Sequence, residues 1–323
     1  MEAVETVRVN LLSPMVLAFV VGVAATLLRS DLRIPDQLYD GLAIYLLLAI
    51  GLKGGAELSV TPLATVWAPA LATLALGLAV PLWSYAILRR LGGLDVANAA
   101  ALAAHYGSVS AVTFIACLTF LEKMGVPYEG FVPALVVLLE VPAIVVALLL
   151  ARSRVTGESW ASLVRGILTG KSVLLLLGGL AIGWLSGREG FRQVAPLFED
   201  LFKGALVLFL LEMGMLTARR LRDLAGVGVF LVVFAVVMPT LHGVLGVVVG
   251  KWAGLSLGGA TVLGTLAASA SYIAAPTAVR MALPEANPSL YLTAVLVVTF
   301  PFNLTFGLPL YHAVARLVFG GVP

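Results

Sequence analysis

The chain has 323 residues, 61% of them hydrophobic and only 11% charged, with a formal net charge of +3 and a mean hydropathy of +1.06. A water-soluble domain carries roughly 25% charged residues, so this composition excludes one. The small net charge sits at the ends of apolar segments, which excludes a nucleic-acid-binding patch.

The first stretch, MEAVETVRVNLLSP, is acidic before its first apolar run and lacks the basic region and cleavage site of a signal peptide. A spanning helix needs about 20 mostly apolar residues. Ten candidates follow, near 11–28, 38–57, 64–88, 95–121, 131–151, 172–187, 197–217, 225–250, 256–282 and 289–316. The expected fold is therefore an all-α polytopic membrane protein of ten transmembrane helices. Connections are short, and the longest polar one is RSRVTGESWASLVRGILTGK. In it Trp160, Leu163, Val164, Ile167 and Leu168 recur at helical spacing beside Arg165 and Lys171, so a surface-lying amphipathic helix is expected. With the N-terminus outside, 12 of the 20 Lys and Arg fall in inside connections, Arg152, Arg154 and Arg280 among them. That excess favours both termini outside. The single cysteine, Cys117, excludes an internal disulfide and a multi-cysteine metal site, and its apolar run reads as packing.

The second half of the chain echoes the first. LLAIGLKGGAEL resembles FLLEMGMLTARRL, AVPLWSY resembles VVMPTLH, AAHYGSVSAVT lies over AASASYIAAPT, and VVLLEVP over LVVTFP, all in the same order. An odd number of spans per copy turns the second copy upside down in the membrane. Such inverted repeats characterise secondary transporters, with midplane sites at the repeat interface. The expected organisation is a first five-helix repeat at 1–151, a linker at 152–171 and a second, inverted repeat at 172–323.

Spans 4 and 9 carry matching polar interruptions. Gly107 makes the first easy to unwind, and Pro276 removes an amide donor from the second. Irregular backbone at membrane depth is tolerated only where protein or a wet cavity satisfies it. Broken helices would present amide ends suited to an anion and carbonyl ends suited to Na+. Gly107, Ser108, Ser110, Thr113, Ser269, Ser271, Tyr272 and Thr277 are the candidate substrate residues. Small residues permitting tight helix packing are the plainer alternative. Glu140, Thr299, Asn303 and Ser271 are the candidate cation residues. Glu140 is an intramembrane acid beside Pro142 and Thr299 is its counterpart in the second repeat, while Asn303 could offer a carbonyl or tie two helices together. Glu140 and Glu212 could also be hydrogen-bonded packing residues. His105 could titrate or be structural, and His242 and His312 form no ligand motif, so no transition-metal site is expected. Lys53 and Glu57 form an i,i+4 pair that reads as snorkelling. The sequence offers no nucleophile–base pairing, HExxH or aspartate dyad, so an enzyme is not expected.

SPMVLAF, IGLKGG, GSVSAVT followed by LEKMGVPYEG, EVPA, EMGM and AASASYIAAPTAVRMALPEANPSLY resemble the sodium-dependent bicarbonate transporter family of cyanobacteria and related bacterial permeases, over almost the whole chain. The resemblance implies a gate of spans 1, 2, 6 and 7 and a core of spans 3–5 and 8–10, with bicarbonate between the breaks and Na+ close by. It also implies an elevator-type movement, a homotrimer and a place in the bacterial inner membrane. No cofactor is implied beyond Na+ as coupling ion. Two departures stand out. Ala270 replaces a serine and Tyr272 stands at the family's aspartate position. The connection after span 5 is also short, which weakens the case for the nucleotide-sensing cytoplasmic regulator of cyanobacterial members. The expected function is Na+-coupled bicarbonate symport into the cell. The alternatives are Na+- or H+-coupled transport of another small organic anion, or an anion sensor that does not transport.

Overall fold

The computed structural model describes residues 2–151 and 160–320. It is 83% helical, and no strand forms among the described residues. Arg152 and Arg154 lie outside the described residues. The helices are α1 (Glu2–Leu11), α2 (Pro14–Leu27), α3 (Asp36–Leu58), α4 (Leu63–Arg90), α5 (Val96–Gly107), α6 (Ala111–Lys123), α7 (Val132–Leu150), α8 (Trp160–Leu168), α9 (Lys171–Ala195) and α10 (Phe202–Arg219). They continue as α11 (Leu224–Val227), α12 (Val229–Trp252), α13 (Leu257–Ala268), α14 (Ala274–Ala282), α15 (Pro288–Thr293), α16 (Phe300–Phe302) and α17 (Leu308–Val318). Two π-helical turns, Ala294–Thr299 and Asn303–Gly307, join the last three into one rod.

Among the described residues, seven helical stretches are long and apolar enough to cross a membrane, or eight if the pair Glu5–Leu11 and Pro14–Leu27, bent by 57°, counts as one. Ten were expected. Much of the difference is geometric: the sixth and seventh spans run together as Lys171–Val227, and the ninth is represented by the short apolar helix Leu257–Ala268. Inside α9, Gly187 takes φ 63°, which lets the rod kink without ending.

Helix starts follow from local chemistry. Ser13 caps α2 through the Val16 amide, with Pro14 in the first helical position. Asp95 caps α5 by accepting from the Asn98 amide at 2.9 Å. Ser256 caps α13 in the same way, through the Gly259 amide at 3.1 Å. These two caps begin the helices that lead into the polar interruptions.

Helix α3 packs along α9, and α2 along α10. Both rely on glycine. A Cβ placed on Gly51 of α3 would lie 2.6 Å from the Leu176 carbonyl oxygen and 2.9 Å from the Gly179 Cα of α9. Gly22 of α2 and Gly214 of α10 similarly meet the facing helix's backbone at the Leu211 and Phe19 carbonyls. Dispersion across a small-residue seam drives such pairing where lipid removes the hydrophobic effect. The remaining helices pack largely among themselves, α4 against α5 and α7, and α12 against α13 and α17. Helix α8 forms within the expected linker and buries Ile167 beside α14.

Candidate substrate and ion site

Both polar interruptions are breaks. α5 ends at Gly107 and α6 starts at Ala111; α13 ends at Ala268 and α14 starts at Ala274. The two extended linkers cross and bond to each other. The Ser110 amide donates to the Ser269 hydroxyl at 2.9 Å, and the Ser271 amide donates to the His105 carbonyl at 2.9 Å. Each break therefore supplies the partner that the other lacks, as backbone away from water requires.

The serines also shape the helix starts. Ser110 accepts from the Thr113 amide at 3.1 Å and from the Thr113 hydroxyl at 3.0 Å. Ser271 accepts from the Ala275 amide at 3.2 Å. Helices α6 and α14 thus both begin at the crossing, α6 capped by Ser110 and α14 with an early amide bonded to Ser271, so the positive ends of two helix dipoles are brought to one place. Gly107 packs where a side chain would meet Ala143 and Pro81 at 3.0 Å. The Ser108 hydroxyl is buried without a hydrogen-bond partner among the described residues. Tyr272 is also buried, with its ring edge-on to Phe300 at 5.5 Å. Its hydroxyl lies toward Ser110 but makes no hydrogen bond of good geometry. Thr277 is different: it is exposed and lines a small cavity of about 90 Å³ with Ile273, Met281, Gly166 and Ile167, beside α8 rather than at the crossing.

The cation candidates divide. Thr299 donates to the Ala235 carbonyl at 2.7 Å. Its hydrogen is then committed, so the Tyr106 hydroxyl, 2.7 Å away, is the donor in their contact. Asn303 donates to the Ala268 carbonyl at 2.8 Å and accepts from the Tyr311 hydroxyl at 2.7 Å. Ala268 is the last residue of α13, so Asn303 satisfies a carbonyl that the break leaves open. Both side chains tie the broken helices to their neighbours. Glu140 is 4% exposed, and its Oε2 has no partner among the described residues. No hydrogen bond joins it to Thr299, Asn303 or Ser271 there. Glu212 faces Arg219 at 3.6 Å. Lys53 pairs with Glu199 at 2.9 Å and Glu57 with Arg188 at 2.6 Å, so neither serves the other.

Several partners were not visible in the sequence. Tyr106 and Tyr311 complete the Thr299 and Asn303 ties. Trp83 of α4 donates to His242 of α12 at 2.7 Å, and Asn10 of α1 donates to the carbonyls of Leu304 and Thr305 in a π-helical turn at 2.8 and 3.0 Å. A crevice of about 270 Å³ runs between α3 and α10 on one side and α6 on the other, from Glu122, Lys53 and Lys203 down to Phe114 near the break. Lys203 crosses its mouth to Glu122 at 2.7 Å.

Long apolar helices, two of them broken and bonded through their breaks, define a polytopic membrane protein of transporter type. The sequence pattern of the Na+-dependent bicarbonate transporter superfamily matches residues 14–316. The chain belongs to that superfamily. No curated protein matches it.

Proposed function

We propose that the protein is a Na+-coupled symporter that brings bicarbonate into the cell, with the anion bound between the two breaks. The observation that carries this reading is the reciprocal bonding of the Ser110 and Ser271 amides across the crossing, which gathers the α6 and α14 starts around one point. Two helix N-termini and the hydroxyls of Ser108, Ser110 and Ser271 offer donors to an oxyanion without any fixed cation, while Thr113 and Ser269 donate to Ser110 and to the Leu266 carbonyl and so shape the site. Gly107 lets the backbone approach, and Tyr272 can add a hydroxyl donor. Thr277, beside α8, is left out of the inner set. Na+ would be held by carbonyl ends near Ser271, with Thr299 and Asn303 fixing the backbone and Glu140 supplying a carboxylate.

Transport follows if α2, α3, α9 and α10 form the gate and the other membrane helices the core, with the core moving as an elevator. Glycine seams hold the gate helices as two tight pairs, and a further seam at Gly246 and Gly264 holds α12 to α13 within the core. Ligands shift such an equilibrium only through differential affinity, so anion and Na+ together must favour the state able to switch sides. A homotrimer in the bacterial inner membrane with both termini outside completes the reading. The short linker gives a cytoplasmic regulator little to hold.

A second reading keeps the fold and changes the coupling ion or anion. It is favoured by Tyr272 standing where the family's aspartate is expected, since a phenol cannot neutralise Na+. Uptake of labelled bicarbonate into proteoliposomes, with and without an inward Na+ gradient, separates the two for wild type and Tyr272→Asp. Na+-dependent uptake by the wild type is the expected result. Uptake by Tyr272→Asp alone would sink the bicarbonate reading for the native chain.

A further inference from the structure

Beside the crossing, three polar atoms on three elements are buried without hydrogen-bond partners among the described residues: His105 Nε2 on α5, Tyr291 Oη on α15 and Arg220 Nε at the end of α10. His105 and Tyr291 stack with ring centroids 4.5 Å apart and 31° between their planes, and are 0% and 1% exposed. The other imidazole nitrogen, Nδ1, lies 2.6 Å from the Ala101 carbonyl. A carbonyl only accepts, so Nδ1 carries the ring hydrogen and Nε2 faces inward as an acceptor.

Two arginines lie on segments that pack against this pair's helices, Arg280 on α14 beside α5 and Arg220 just before the turn that meets α15. Arg280 of α14 lies within electrostatic reach of both His105 and Tyr291, and Arg220 within reach of Tyr291. The 3-10 turn Leu221–Asp223 that follows Arg220 packs on α15, which brings the end of α10 to the tyrosine. Arg220 is charge-paired with Asp223 through its Nη1 at 3.7 Å, too far for a hydrogen bond, and its Nε is left without an acceptor among the described residues. Arg280 uses its Nε on the Pro276 carbonyl at 3.3 Å. The next arginine, Arg219, faces Glu212 instead. A buried guanidinium nitrogen and a buried phenol without partners each cost free energy unless something accepts from them.

These groups ask for one kind of ligand. Guanidinium and phenol donate to a negative oxygen, while the imidazole acceptor calls for a hydrogen on the same ligand. Bicarbonate and dihydrogen phosphate carry both features; nitrate and chloride carry no hydrogen. We propose that His105, Tyr291, Arg220 and Arg280 form a second oxyanion site, next to the crossing but with its own side chains, that takes a small protonated oxyanion. It lies on the face whose basic residues mark it as the expected cytoplasmic one. The assignment stands whichever anion crosses the membrane.

The test is thermal unfolding of the purified full-length protein in detergent, in phosphate, bicarbonate, nitrate or chloride at equal ionic strength and neutral pH. Phosphate is expected to raise the Tm by about 3 °C over chloride, by linkage, and nitrate to leave it unchanged. Tyr291→Phe and Arg220→Gln should each remove the phosphate shift, whereas Ser269→Ala, at the crossing, should retain it. Tyr291→Phe deletes a hydroxyl that bonds to nothing, so its Tm in chloride should match wild type, and it carries the test if Arg220→Gln fails to fold. A phosphate shift would mark a site for a cytoplasmic effector. A shift lost in Tyr291→Phe but given by bicarbonate alone would mark a stage in release of the transported anion; both support the site. Equal stabilisation by nitrate, no shift with either oxyanion, or a shift that survives Tyr291→Phe would overturn it.

Discussion

Asn303 shows how a polar side chain inside a membrane helix can serve the backbone. The nitrogen of its amide donates to the open carbonyl of Ala268 and the oxygen accepts from Tyr311. Asn303→Asp, when ionised, keeps the acceptor and removes the donor, setting a carboxylate oxygen against a carbonyl. A buried acceptor left alone costs about 1–3 kcal/mol, so the Tm should fall by several degrees, and by more than for Thr305→Val. A thermal scan of both variants checks this; an Asn303→Asp protein as stable as wild type would mean that the tie does not hold the break. Thr299 makes the same kind of prediction. Thr299→Val removes the donor to Ala235 and the acceptor for Tyr106 at once, so it should destabilise despite its matched shape.

At the scale of elements, the glycine seams give the sharpest contrast. Gly178 and Gly179 are neighbours on α9 with opposite surroundings. A Cβ on Gly179 would lie 2.8 Å from the Leu48 carbonyl oxygen and 3.0 Å from the Gly51 Cα, whereas one on Gly178 meets nothing within 4 Å. Gly179→Ala should therefore part α3 from α9 and cost on the order of 1–3 kcal/mol, the usual range for overpacking. Gly178→Ala should be neutral or gain a little from helix propensity. Unfolding of the two alanine variants side by side decides it, since equal effects would rule out the seam. This level is also where the sequence was most readable. Runs such as GSVS and SASYIAAP announce breaks because small and hydroxylated residues with proline cannot sustain a buried helix without help. Their partners were illegible, because Tyr106, Tyr311 or Trp83 in an apolar run reads as core until a distant segment is set beside it. Thr277 misled for a related reason. Its place in the run suggested the crossing, yet one turn into α14 it had already rotated toward α8.

For the whole molecule, the crevice between α3, α10 and α6 matters most. Lys203 and Glu122 span it, with side chains 60% and 36% exposed. Pairs this exposed contribute only about 0–1 kcal/mol to stability, so Lys203→Gln should leave the Tm almost unchanged. A disulfide between Lys203→Cys and Glu122→Cys is another matter if α10 belongs to a fixed gate and α6 to a moving core. Oxidation should then stop uptake of the labelled anion and reduction restore it, with each single cysteine variant unaffected by oxidant. Full uptake by the cross-linked protein would show that these two helices never part.

The reciprocal bonds of the crossing also bear on how the protein is made. The hydroxyl that receives the Ser110 amide belongs to a residue 159 positions later in the chain. At the usual pace of synthesis that residue is joined roughly ten to thirty seconds afterwards. During that interval the first broken helix is already made and still lacks its permanent partner, in an environment that penalises unpaired amides. The nascent first half must therefore keep that stretch hydrated or shielded by the insertion machinery until the second half arrives to close it.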